Sequence, residues 1–91
     1  MKLIMAIVRD RDASTVIDEL TRRGYGVTRI NTYGGFLKRG NATILTGVED
    51  AETSTVIDVF RDMCGTPDVS TDGVRTTGVA FVLPISASIR I

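Results

Sequence analysis

The pentapeptide Ser-Thr-Val-Ile-Asp occurs twice in this chain, at residues 14–18 and again, 40 positions later, at 54–58. The flanks match in character too. Asp12 precedes the first copy, and Asp50, Ala51 and Glu52 precede the second. Apolar side chains then fall at Val16, Ile17 and Leu20 in one copy and at Val56, Ile57 and Phe60 in the other. That i, i+1, i+4 spacing lines one face of an amphipathic helix. Asp12 and Asp50 are expected to cap the helices, because a carboxylate accepts from the orphan N–H groups of a first turn and complements the dipole. Gly24 and Gly65 are expected to stop them. Two similar helices sharing five residues by chance is the bland alternative; the matching flanks favour a duplicated β-α-β unit.

A strand precedes each helix. Leu3 to Val8 is a continuous apolar run, and Thr43 to Val48 is its counterpart in the second half. Between the halves, Gly26 to Tyr33 reads as a strand, Gly34-Gly35 as a turn, and Phe36-Leu37 as the restart of a strand. After the second helix, Gly65 to Asp68 and Ser70 to Gly73 are rich in turn residues. Val74 to Ile85 is the last strand, with Gly78 inside it and Pro84 closing it. The predicted order is β-α-β-β-α-β. Two right-handed split units of this kind give an α+β, ferredoxin-like sandwich: a four-stranded antiparallel sheet with both helices on one face. A chain of 91 residues holds one such domain, spanning 1–91. Its second sheet face is left uncovered, so a closed homo-oligomer is expected.

Composition removes whole classes of function. Histidine is absent, which excludes Ser-His and Cys-His catalytic pairs and imidazole metal sites. A single cysteine excludes an internal disulfide, a CxxC pair and a thiolate cage; it is expected to pack as a small hydrophobe. No cofactor and no metal are expected, and a catalytic role for Glu49-Asp50 is disfavoured. No apolar run approaches the length of a membrane span, and no signal peptide is apparent, so a cytoplasmic location is expected.

The formal net charge is zero, which argues against binding a nucleic-acid polymer. The charges are nevertheless unevenly placed. Residues 1–19 balance to −1, residues 20–48 to +5 with no acid at all, and residues 49–91 to −4. The positive block contains the stretch from Asn31 to Asn41, with Gly34, Gly35 and Gly40, Lys38 and Arg39. Glycines let a ligand approach the backbone, N–H groups cradle phosphate, an Asn amide can pair with an adenine edge, and Tyr33 or Phe36 could stack on a base. The ordinary alternative is a glycine hairpin with a solvated basic rim. Arg9-Asp10-Arg11-Asp12 reads as a solvated turn between strand and helix.

At this point the sequence resembles a known family. Thr28, then Thr32-Tyr33-Gly34-Gly35-Phe36-Leu37, then Gly40-Asn41-Ala42-Thr43, then Gly47 is similar to the signature of the PII-like cyclic-di-AMP receptor proteins, within the nitrogen-regulatory PII superfamily. The opening from Met1 to Val8 and the ending from Gly78 to Ile85 resemble that family as well. The resemblance implies a non-enzymatic signalling protein: a homotrimer that binds cyclic-di-AMP between subunits and acts on a downstream protein. It implies a site lined by Thr28, Gly35, Phe36, Leu37, Asn41, Gly47 and Phe81, closed by the neighbouring tail and Arg90; for a shifted site, Arg29, Lys38, Arg39 or Arg90 would supply the charge. Gly24 and Gly26 stand where polar or basic side chains are familiar in the family. The alternative is therefore a PII-like regulator of an altered site, taking a different adenine nucleotide or a small anion. An RNA-recognition module shares the element order but needs aromatics after Arg39-Gly40, where this chain has Asn41-Ala42-Thr43.

Overall fold

The opening run of β-branched and long apolar side chains forms strand β1, Lys2–Arg9. Residues 1–30, 40–64, 69–70, 73–74 and 78–91 are described in the computed structural model, the two short pairs by backbone alone. Helix α1 covers Asp10–Arg22 and helix α2 covers Thr53–Met63. Strands β2 (Val27–Ile30), β3 (Asn41–Val48) and β6 (Gly78–Pro84) join β1 in one sheet, ordered β2-β3-β1-β6 with every neighbouring pair antiparallel. Strands β4 (Val69–Ser70) and β5 (Gly73–Val74) pair with each other and, among the described residues, with no other strand. The sheet and its two helices are the ferredoxin-like α+β arrangement.

The repeat is visible in the packing. Val16 and Val56 are both fully buried, Leu20 and Phe60 are buried one turn on, and Ile17 and Ile57 are both half-buried against the same cluster. Equivalent positions of the two copies thus face one core. The sheet side of that core is Ile4, Ala6 and Val8 from β1 with Ala42, Ile44 and Val48 from β3. These positions alternate, as a strand with one covered face requires. Thr46 belongs to the same row; its hydroxyl is buried and donates to the Gly26 carbonyl at 2.8 Å, tying β3 to the residue before β2.

Several local expectations are corrected. Neither helix has a side-chain cap. Asp12 lies inside α1, which starts two residues earlier at Asp10, and its carboxylate is drawn to Arg9 rather than to a helix N–H. Asp50 opens a single 3-10 turn, Asp50–Glu52, ahead of α2, and pairs with the Met1 amino group at 2.8 Å. The Arg9–Asp12 stretch is not a solvated turn: both of those side chains are mostly covered, and they hold each other at 2.7 Å. The last strand of the sheet begins at Gly78, not Val74, because Val74 is spent in the β4–β5 pair. Gly24 does end α1 as expected, with φ of +92° just past the last turn, a conformation that disfavours any side chain. Gly65 and the Gly34-Gly35 turn lie outside the described residues.

Candidate functional site

Register decides which predicted residues share a face. Antiparallel partners point the same way, so the core positions fix the other set as well. Thr28 on β2 pairs with Leu45 on β3, Leu45 with Met5 on β1, and Met5 with Phe81 on β6. These four form one row straight across the face that no helix covers. A second row runs Gly47, Leu3, Leu83, and a third runs Ile30, Thr43, Ile7, Val79. Thr28, Gly47 and Phe81 therefore lie on the open face, within a largely apolar surface on which Phe81 is 43% exposed.

They share a face without sharing a pocket. Adjacent strands lie about 4.8 Å apart, so Thr28 and Phe81, three strand gaps apart, are separated by about 14 Å. Asn41 opens β3 across from Arg9, while Gly47 lies near the other end of the strand; six residues of extended chain place them about 20 Å apart. Arg29 belongs to the opposite face. Its ladder partner is the core residue Ile44, and its guanidinium donates to Asp10 at 3.2 Å. Arg90 lies in the segment after β6, which is exposed beyond Ile85 and carries Ile89 86% open to solvent. Gly35, Phe36 and Leu37 fall outside the described residues.

The basic block is partly neutralised by the fold. Arg22 and Arg23 both turn back on Glu19, with Arg22 donating at 2.7 Å and Arg23 at 3.4 Å. The hydrogen bond from Arg22, followed by the charges of Arg22 and Arg23, holds the Glu19 carboxyl below its ordinary range despite an opposing desolvation. With Arg29 on Asp10, the cations of 20–30 are all engaged with acids from 1–19. Lys38 and Arg39 lie outside the described residues.

Two groups of residues escaped the reading of motifs. Met5 and Leu45 form the centre of the row between Thr28 and Phe81, and strand alternation was the signal that could have found them. Arg9 and Asp12 read in the sequence as part of a solvated turn, although they form an i, i+3 pair of opposite charge at the mouth of a helix. On the helix side, an open cleft of about 260 Å³ lies between α2 and β6, bounded by Val8, Phe60, Arg61, Cys64 and Ala80. None of the predicted site residues that are described borders it. Cys64 is buried there, and burial, with the nearby Asp12 charge, pushes its thiol up against a smaller opposing effect of Arg9. Among the described residues no cluster of His, Cys, Asp and Glu is built to hold a metal ion, and no helix is long and apolar enough to cross a membrane.

A family model described as cyclic-di-AMP receptor matches residues 1–89. The fold is also that of a solved structure, a functionally unknown protein from Pediococcus pentosaceus ATCC 25745. The two superpose with a TM-score of 0.80 at 27% sequence identity, over 99% of this chain and 96% of that one.

Proposed function

Because this chain belongs to the cyclic-di-AMP receptor family, we propose that it is a non-enzymatic, cytoplasmic signalling protein that binds cyclic-di-AMP at the subunit interfaces of a homotrimer. The observation that carries this reading is the family match, which runs from residue 1 to residue 89. The geometry supports the interfacial part. Residues 14 to 20 Å apart on one open face can meet around a single ligand when a neighbouring copy brings its own set alongside.

In this reading Thr28 offers a hydroxyl and Asn41 pairs its amide with an adenine edge as donor and acceptor at once. Gly47 keeps the surface low, Phe81 offers a ring for stacking, and Gly35, Phe36 and Leu37 are the further residues that line the pocket. Arg90 enters from the exposed tail of the adjacent subunit. Signalling to a downstream protein then needs only that the ligand binds one arrangement of the subunits better than another.

Calorimetry with cyclic-di-AMP is the test. Heat of binding is expected with the native chain, and Asn41→Ala is expected to weaken affinity about tenfold, the loss of an amide's hydrogen bonds to a base. No heat at high micromolar ligand would overturn it. One observation favours a second reading, a different adenine nucleotide. A side chain at Gly26 would meet open space, so its absence leaves the approach to Thr28 bare. A thermal-shift panel of ATP, AMP and cyclic-di-AMP separates the two, since the tighter ligand raises the melting temperature more at equal concentration.

A further inference from the structure

We propose that Arg9 is a positioning residue that clamps the start of β3 to the end of α2, so that an event at Asn41 is felt at Cys64. The proposal rests on the reading of Asn41 as a ligand contact, and on three observations that do not depend on it.

Arg9 pairs with Asn41 in the β1–β3 ladder, and the next residue donates its N–H to the Gly40 carbonyl at 2.8 Å. The two strand ends are thus fixed together at the candidate site. The side chain of Arg9, however, does not stay with the ladder. Its Nε donates to the Asp12 carboxylate at 2.7 Å, and its Nη2 donates to the Cys64 carbonyl at 2.6 Å, 55 residues away in sequence. Both charged side chains are well covered, at 16% and 12% exposure.

The chemistry of each contact is specific. The last carbonyls of a helix have no partner within it, and they carry the negative end of its dipole. A guanidinium there supplies the missing donor and the complementary charge. Asp12 turns the fork: with Nε held by the carboxylate, Nη2 is aimed at the Cys64 carbonyl. Lysine, a point charge on a flexible stem, cannot hold both partners in this geometry. Arg9 therefore joins the β1 end to the C-terminal end of α2.

Cys64 is the chain's sole cysteine and is buried, so its alkylation rate reports opening at that helix end. Arg9→Lys keeps a cation beside Asp12 and is the first variant. Arg9→Gln combined with Asp12→Asn, which removes both charges together, is the second should the first fold poorly. Without ligand, alkylation of Cys64 by iodoacetamide is expected to rise about tenfold in either variant, the equivalent of one charge-assisted hydrogen bond. Hydrogen exchange at the Asp10 amide, which donates to the Gly40 carbonyl, is expected to rise with it. An unchanged rate at either place overturns the clamp. With cyclic-di-AMP at a concentration that saturates by calorimetry, the native chain is expected to label several-fold more slowly. The variants are expected to bind yet show no such slowing. A ligand effect that is absent in the native chain, or retained in the variants, overturns the coupling. Absence of any binding heat overturns the cyclic-di-AMP reading and the ligand coupling with it. The ligand-free comparison still decides the clamp.

Discussion

Thr46 and Cys64 show how a single atom can be read from its surroundings. The Thr46 hydroxyl is buried and is spent on the Gly26 carbonyl, so Thr46→Val is expected to leave that acceptor unpaired and to cost about 1 kcal/mol in chemical denaturation. The Cys64 thiol is covered and its ionisation is opposed by burial, so the native chain is expected to resist thiol reagents near neutral pH and to react fully once unfolded. Glu19 gives a pH dependence whose sign is fixed. Its carboxyl is held below the ordinary range, chiefly by Arg22, so its contribution is present at neutral pH. That contribution is lost as pH falls below the ordinary glutamate range and through the lowered native value. Glu19→Gln should flatten the acid limb of a stability-against-pH curve; a limb of unchanged steepness would contradict the assignment. At this scale the sequence is a poor guide. Asp12 was a textual match to a helix cap, but the helix starts earlier because Asp10 and Arg11 already satisfy helical geometry, and a cation at position 9 outcompeted the backbone for the carboxylate.

Elements were far more legible. The duplicated pentapeptide placed both helices and both core faces, because amphipathic spacing depends on which side chains must leave water and not on the details of capping. Leu20 and Phe60 occupy matching positions of the two copies, so truncating either to Ala is expected to cost comparable amounts, about 2–5 and 3–5 kcal/mol. Calorimetric unfolding of the two variants measures the match directly. The last strand was misjudged at its start because Val74 has the right chemistry for any strand, and only the pairing decides which one it joins. Gly78 marks the true start. A Cβ there would lie 2.7 Å from the Ile7 carbonyl oxygen and 3.1 Å from Val8, so the close approach of β6 to β1 needs glycine. Gly78→Ala is therefore expected to loosen β6 specifically, raising hydrogen exchange along Gly78–Pro84 before the rest of the sheet responds.

For the whole molecule, the open face sets the expectation. Thr28, Met5, Leu45 and Phe81 cross it in one row, and both faces of β6 are exposed. Covering such a surface with copies of the chain ties folding to association, so the melting temperature is expected to rise with protein concentration. Phe81→Asp, which puts a charge in the middle of that surface, is expected to shift light-scattering mass toward the monomer while leaving the helical signal in place. The site was legible as a face and not as a pocket. The resemblance to the family picked out Thr28, Gly47 and Phe81, and the strand register puts these three on one face. Motif spacing alone did not reveal the distance of about 14 Å between Thr28 and Phe81, because that distance comes from strand order.

The strand order has a consequence for how the chain is made. β1 is central, flanked by β3 and β6, yet it precedes both in the chain, and β6 is the last element of all. During synthesis, therefore, a largely apolar strand emerges with neither edge satisfied. It gains its first partner some 40 residues later and its second only when the final strand appears. Since such distant pairings must form before folding completes, one edge of β1 stays unpaired until residues 78–84 have been made. Ribosome-bound fragments ending before residue 78 should accordingly be sensitive to protease and bound by chaperones, and the finished chain should not.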